Sequence, residues 1–114
     1  MNDLALLKRR RKLAHTRFMK LKSPVYKLFL ELEEAAYREG ALPAKTKLLA
    51  GIAVSVVVNC EACMQWHIEE AARAGASEVE IVEMIEVAIK MGGAPAVVAS
   101  RTAFEVMKEI FPGN

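Results

Sequence analysis

The chain has 114 residues, of which 54% are hydrophobic, and it contains only 6 glycines and 4 prolines. This composition excludes disordered and collagen-like proteins, and because domains average about 150 residues it predicts one packed domain, residues 1–114. The net charge is only +2, but residues 1–22 hold eight Lys or Arg against one acid, while the remainder holds eight against thirteen.

No membrane-spanning or secretory segment is predicted. The longest uncharged apolar stretch, residues 48–58, is much shorter than the roughly 20 residues that cross a bilayer. No apolar run follows the N-terminal basic residues, as a signal peptide would require. We therefore expect a cytoplasmic protein, in which cysteines stay reduced and serve chemistry more often than structure.

The first predicted element is an amphipathic helix with a basic, solvated face. Its apolar residues recur at helical spacing, at Leu4, Leu7, Ala14, Phe18 and Leu21. Arg11 interrupts this stripe, and it could either meet an acidic partner chain or extend to solvent. Because no aromatic interleaving or nucleic-acid-binding motif accompanies the basic residues, we expect no nucleic-acid partner.

Two more helices are predicted before the cysteines. Ser23 and Pro24 are typical of an N-cap and first helical position, and this helix should run to about Glu39 before Gly40 ends it. A third helix should open at Pro43. Its portion 48–58 is apolar on every side, which predicts a central helix buried all round. A buried strand over 52–58 is the competing interpretation, but such a strand would have no partner.

The fourth helix is expected from Cys60 to about Ala74, with Asn59 as its N-cap and Gly75 as its stop. This assignment places Cys60 at the first helical position. Trp66, on the same helix, is expected in the core or at an interface and not as a platform for substrate.

Two final helices complete the predicted fold. Ser77 with Glu80 predicts a capping box for the fifth helix, which should end at Gly92 and Gly93, and Pro95 should start the sixth. The fifth helix should bury a stripe made of Ile81, Val82, Ile85, Ala88 and Ile89, and the apolar residues of the sixth are Val97, Val98, Phe104 and Met107. Six helices without a strand predict an all-α, single-domain bundle.

The candidate chemistry lies in Cys60, Cys63 and His67. Their spacings place all three side chains on one stripe of a helix, where two thiols one turn apart can close a disulfide. A helix N-terminus stabilises a thiolate, and His67 can accept a thiol proton one turn further on. A free thiol with its ordinary pKa of about 8.5 is mostly protonated at neutral pH, so these two effects would decide its reactivity.

Two other interpretations of this cluster remain open. The three side chains could ligate a metal, but no second Cys or His pair completes the usual tetrahedral set. The cysteines could also be buried structural thiols beside a hydrogen-bonded histidine. We favour redox thiols and expect no metal and no cofactor.

The chain resembles the carboxymuconolactone decarboxylase family in its alkylhydroperoxidase D-like branch. The resemblance covers residues 44–106 and is carried by TKLLAGIAVSVVVNCEACMQWH, AGASEVEIVEMIEVAI and MGGAPAVV. It leaves residues 1–40 as N-terminal helices outside the family core. It implies an all-helical homo-trimer or homo-hexamer with active sites near subunit contacts.

By this resemblance, Cys60, Cys63 and His67 match the redox cysteines and the histidine of the peroxidase branch. The decarboxylase proper lacks the cysteine pair, so the pair favours peroxide or disulfide chemistry. One residue departs from the pattern, because Leu48 stands where the branch has a glutamate that feeds a proton relay. A leucine cannot carry a proton, so another acid must substitute or the relay must run through water, and Glu83 is our first candidate for that acid.

The sequence therefore predicts a thiol peroxidase or disulfide oxidoreductase that acts on hydroperoxides and is restored by a dithiol or a thioredoxin-like reductant. Cys63 is expected to attack first, since His67 is nearer to it, although the helix dipole favours Cys60. A lactone decarboxylase and a non-enzymatic redox-sensing oligomer are the alternatives. The high apolar content independently predicts a homo-oligomer.

Overall fold

The computed structural model describes residues 3–113, which form six α-helices and no strand. The predicted all-α class is confirmed. In chain order the helices are α1 (Asp3–Leu21), α2 (Pro24–Tyr37), α3 (Ala44–Val57), α4 (Glu61–Arg73), α5 (Glu78–Gly92) and α6 (Ala94–Ile110). None of these helices combines the length and the apolar character that crossing a membrane requires.

The core lies between α3, α4, α5 and α6. Three of these helices, α3, α4 and α5, contribute the largest side chains that are entirely buried, which are Ile52, Val56, Met64, Ile68, Ile81 and Ile85. In the predicted stripe of α5, Ile81, Ile85 and Ala88 are buried as expected. Val82 and Ile89 are partly buried and pack against the core. Residues that recur at i, i+4 and i+7 spacing form one face of a helix, and packing these faces together hides them from water.

Small residues bring α6 close to its neighbours. Its buried positions include Ala96, Ala99 and Ala103, whereas the bulkier Val97 and Val98 are exposed. Phe104 is exposed too, so Met107 is the one predicted apolar residue of this helix that is buried. Small side chains on the inner face allow the helix backbones to approach, and larger ones would overfill the space.

The third helix is central but is not buried all round. Val54, Val57 and Val58 are 60%, 46% and 63% exposed, so that prediction is wrong for the single chain. The reason is that α4, α5 and α6 pack on the face that carries Ile52 and Val56, and they leave the opposite face uncovered. The alternative of a strand over 52–58 is also wrong, because α3 runs through to Val57.

The first two helices are joined by a two-residue turn and are called the hairpin below; few contacts join them to the core. Leu4 is the only buried residue of α1, and α2 has none. The backbone oxygen of Leu4 accepts a buried hydrogen bond from Gln65 Nε2 of α4, at 3.0 Å. Most of the predicted apolar stripe of α1 is therefore exposed, as is an apolar face of α2 made of Val25, Leu28, Phe29 and Leu32.

Two predicted caps are confirmed, and each fixes where a helix begins. Ser23 accepts a hydrogen bond from the backbone of Tyr26 at the start of α2, with Pro24 as the first helical residue. Ser77 and Glu80 exchange side-chain and backbone hydrogen bonds at the start of α5. The connection between α2 and α3, residues 38–43, is exposed throughout, whereas α5 and α6 are joined by Gly93 alone.

Candidate functional site

The turn between α3 and α4 brings Cys60 to the start of α4. The prediction that Asn59 caps α4 is wrong, because Asn59 has a φ of 55° and instead ends α3. The amide of Cys60 donates to Ser55 O at 3.0 Å and the amide of Asn59 to Val56 O at 3.1 Å. This pair of hydrogen bonds is the Schellman motif, in which the residue in the left-handed conformation is usually Gly and sometimes Asn.

Cys60 consequently serves as the N-cap of α4 and not as its first helical residue. Its Sγ accepts a hydrogen bond from the backbone N–H of Cys63 at 3.2 Å. The unpaired amides at a helix start give this end of the helix a partial positive charge, which favours a thiolate. The same two cysteines are joined in a disulfide, with their Cα atoms 5.1 Å apart.

His67 lies beside this pair, but its hydrogen bonds are made to other groups. Nδ1 lies 2.7 Å from the backbone oxygen of Cys63, and Nε2 lies 2.5 Å from the hydroxyl of Tyr37. A carbonyl oxygen can only accept, so in the neutral ring Nδ1 carries the proton and Nε2 accepts from the Tyr37 O–H. The ring is therefore held in one tautomer, and Nε2 is its basic nitrogen.

Gly51 of α3 makes room for this histidine. A Cβ at position 51 would lie 2.4 Å from His67 Cδ2 and 2.8 Å from the hydroxyl of Tyr37. Both distances are below the closest approach that a real Cβ makes to another heavy atom. The absence of a side chain at Gly51 thus permits the contact between Tyr37 and His67.

Two groups of α2 complete the surroundings of the histidine. Burial raises the pKa of the Glu33 carboxyl above its ordinary value, while the charge of His67 lowers it and that of Glu70 raises it. Burial, followed by the charge of Glu33, also raises the pKa of Tyr37. Tyr37 therefore keeps its hydroxyl proton at neutral pH, and Glu33 holds a proton more readily than an exposed carboxyl does.

Glu33, Cys63 and His67 line one open cleft between α1, α2 and α4. The cleft has a volume of about 780 Å³, which lies within the usual range for small-molecule sites. Cys63 and His67 lie in its wall beside Trp66, whose ring meets the histidine edge-on at 4.8 Å. The remaining lining residues are Arg11, Lys12, His15 and Thr16 of α1, Tyr26, Phe29, Leu30 and Glu33 of α2, and Ala62 of α4.

The other residues singled out from the sequence lie in different places. Leu48 is buried in the core. Glu83 is exposed on α5 and is not among the residues that line the cleft. Arg11 lies 3.9 Å from Glu69 of α4. The acidic group near Arg11 therefore belongs to the same chain. The sequence had suggested either an acidic group of a partner chain or solvent. Trp66 packs partly against the core, as expected, and also lines the cleft.

Sequence reasoning missed Glu33 and Tyr37. The two residues lie one turn apart on α2, so they share a face of that helix. This spacing was visible in the sequence, but nothing in it shows that this face lies against His67. Within residues 3–113, no group of three or more His, Cys, Asp and Glu side chains could hold a metal ion.

Comparisons with known proteins relate the chain to one family. The model of the carboxymuconolactone decarboxylase family matches residues 23–106, which includes α2. An uncharacterized protein of the cox locus in Paracoccus denitrificans is 37% identical over 82 residues, which are 72% of this chain and 74% of that protein.

Solved structures show the same fold. A carboxymuconolactone decarboxylase family protein from Legionella pneumophila superposes with a TM-score of 0.89 at 27% identity, covering 96% of this chain and 97% of that one. A family protein from Thermotoga maritima, for which an involvement in the antioxidative response has been suggested, gives a TM-score of 0.73 at 34% identity, covering 77% and 91%.

Proposed function

The chain belongs to the carboxymuconolactone decarboxylase family, and from its cysteine pair we propose that it is a thiol-dependent peroxidase that reduces hydroperoxides through Cys60 and Cys63. The observation that carries the proposal is the placement of Cys63. It forms a disulfide with the N-cap residue of α4 and lines a cleft together with His67. The antioxidative role suggested for the Thermotoga maritima relative is consistent with this chemistry.

The first step is attack by the Cys63 thiolate on the outer oxygen of a hydroperoxide. An S–O bond forms, the O–O bond breaks, Cys63 becomes a sulfenic acid and the alkoxide leaves with a proton as an alcohol. Cys63 takes this role because it lines the cleft, whereas Cys60 does not.

The second step closes the disulfide. The Cys60 thiolate, stabilised by the amides at the start of α4, attacks the sulfur of the sulfenic acid and water leaves. A dithiol or a thioredoxin-like protein then reduces the disulfide by exchange and is itself oxidised. We place this cycle in the cytoplasm, where such reductants are abundant.

Glu33 and Tyr37 take the place of the relay glutamate that Leu48 replaces. Tyr37 hydrogen-bonds the basic nitrogen of His67, and burial keeps a proton on Glu33 more readily than in water. The proton that the Cys63 thiol loses passes to these three groups, and they return one proton to the leaving alkoxide, so no proton is gained or lost in the step. Tyr37→Phe should lower the turnover number by roughly tenfold or more and change its pH profile, whereas a purely structural loss would leave the shape of that profile unchanged.

Assembly of several copies is part of the proposal. Val25, Leu28 and Leu32 of α2 and the valines of α3 are exposed, and exposed apolar patches are typical of subunit contacts. Covering them in a homo-trimer or homo-hexamer would remove this surface from solvent.

The decisive experiment measures consumption of cumene hydroperoxide coupled to oxidation of dithiothreitol. Cys63→Ser should abolish it. In the absence of dithiothreitol, Cys60→Ser should permit one oxidation per chain and trap a sulfenic acid, detectable by mass or by dimedone. Serine at position 60 can still accept the hydrogen bond of the N-cap, so this variant keeps the start of α4.

Two outcomes would overturn the proposal. If the double Cys→Ser variant consumed peroxide as fast as the parent, redox catalysis by the pair would be wrong, and lactone decarboxylation would become the leading candidate. If the parent oxidised once and never cycled in excess dithiol, the pair would be a redox sensor and not a catalyst.

A further inference from the structure

The two sides of the cleft differ in chemistry. The side formed by α1 carries Arg11, Lys12 and His15, while most residues contributed by α2 and α4 are apolar or aromatic. Phe29, Leu30 and Trp66 are among them. Glu33 is the one acidic residue of the lining, and it belongs to the α2 side beside His67. A ligand that fills this cleft meets an apolar surface on one side and positive charge on the other.

Arg11 lines the cleft and is incompletely hydrogen-bonded within the described residues. Its Nη2 lies 3.9 Å from Glu69, which is a long ion pair and not a bidentate one. Its Nη1 is buried and has no hydrogen-bond partner among residues 3–113. Buried guanidinium N–H groups are normally paired, and the fork of an arginine matches a carboxylate in shape.

From these observations we propose that the cleft binds an apolar monocarboxylate, and that the preferred substrate is a hydroperoxide with an alkyl body and one carboxylate group. This assignment of a substrate class rests on the peroxidase function proposed above. The carboxylate lies on the α1 side against Arg11 and Lys12, away from Glu33. The alkyl body packs on Phe29, Leu30 and Trp66, which leaves the hydroperoxide group at Cys63.

Binding can be tested without any peroxide chemistry. Trp66 is the only tryptophan of the chain and lines the cleft, so its fluorescence reports occupancy. Titration of the disulfide form with decanoate should give a saturable change, with a dissociation constant about tenfold lower than for 1-decanol, since charge-assisted hydrogen bonds to arginine are the stronger ones. Added salt should reduce this preference.

Variants locate the source of the preference. Arg11→Gln should remove the preference for decanoate over 1-decanol. Lys12→Gln, which changes an exposed side chain, should weaken this preference while leaving the fold intact. Arg10→Gln is the matched control, because Arg10 is exposed on the same helix and is not part of the cleft lining. Equal affinity of the parent for decanoate and decanol, or an equal loss of preference in Arg10→Gln, would overturn the assignment.

A kinetic comparison separates this inference from the proposed function. The value of kcat/KM for linoleic acid hydroperoxide should exceed that for its methyl ester, and the ratio should fall to about one in Arg11→Gln. Turnover of both peroxides at equal rates would overturn the substrate class and leave the peroxidase intact. Absence of any turnover together with selective binding of decanoate would overturn the peroxidase and leave the carboxylate site.

Discussion

The bundle of α3–α6 and the hairpin of α1 and α2 differ in how much they bury and in how much of the cleft they line. The bundle buries nearly all of the core and holds the cysteine pair, whereas the hairpin buries a single residue yet supplies most of the cleft lining. The buried core and the sulfur pair thus lie in one region, and most of the cleft lining lies in the other. Changes in the two regions should therefore have separable effects.

The largest difference is expected from truncation of a large side chain in each region. Ile68→Ala should lower the free energy of unfolding by about 2–5 kcal/mol, because Ile68 is fully buried and leaves a cavity. Leu28→Ala should change the unfolding of the single chain by less than about 0.5 kcal/mol, since Leu28 is exposed. It should instead raise the monomer fraction in light scattering. Equal losses on urea denaturation would contradict the division.

A glycine at the border of the two regions offers the next test. Gly51→Ala should cost about 1–3 kcal/mol and displace His67 from Tyr37, because the new methyl group overlaps both side chains. Dithiol-coupled peroxide reduction should fall with it. Gly40→Ala is the control, since its Cβ would meet nothing closer than Lys47 Nζ at 3.7 Å. Unaltered activity in Gly51→Ala would mean that the contact with Tyr37 is unimportant.

Two serine caps compare the same interaction in both regions. Ser77→Ala should lower the global free energy of unfolding by about 1 kcal/mol, because it removes the capping box of a core helix. Ser23→Ala removes the cap of α2 and should speed amide exchange in residues 25–27 with little effect on the bundle. Hydrogen exchange measured by mass spectrometry distinguishes the two. Faster exchange in α4 and α5 of Ser23→Ala would show that hairpin and bundle unfold together.

The smallest effects are expected from two carboxylates whose pH dependences have opposite signs. The pKa of Glu33 is raised from 4.5, so the folded state binds its proton more tightly and stability falls as the pH rises above that value. The pKa of Glu80 is lowered from 4.5, first by the backbone N–H of Ser77 and then by Lys45, so its contribution is lost as the pH falls below that value. Both side chains remain in contact with water, which keeps the effects small.

Denaturation of Glu33→Gln and Glu80→Gln between pH 3 and pH 7, compared with the parent, measures both signs. As the pH rises, the stability of Glu33→Gln relative to the parent should increase. The stability of Glu80→Gln relative to the parent should decrease. A common sign for the two variants would refute the environments assigned to them.

Short-range signals in the sequence were enough to predict most of the fold. Ser23 with Pro24, and Ser77 with Glu80, set helix starts through bonds to residues three positions away, so no tertiary knowledge was needed. The prediction that Asn59 is an N-cap was wrong because asparagine suits both an N-cap and the left-handed end of a helix. In this chain Asn59 adopts the left-handed conformation at the end of α3.

Features that depend on how the helices pack together could not be predicted from the sequence, for a different reason. The apolar run in α3 shows that the helix is hydrophobic, but which of its faces is covered depends on how many neighbours pack against it. Cys60, Cys63 and His67 were found because they lie within one helix. Glu33 and Tyr37 were not, because they approach His67 from a separate helix across a long sequence separation.

The exposed connection at residues 38–43 has a practical consequence for protein engineering. It is the longest joint between the helices, and it separates every lining residue of α1 and α2 from the sulfur pair. A hairpin from a relative could be grafted at this joint without altering one residue of the bundle. Libraries confined to residues 3–37 would then vary the part of the cleft lining that α1 and α2 contribute and leave the helix that carries Cys63 unchanged.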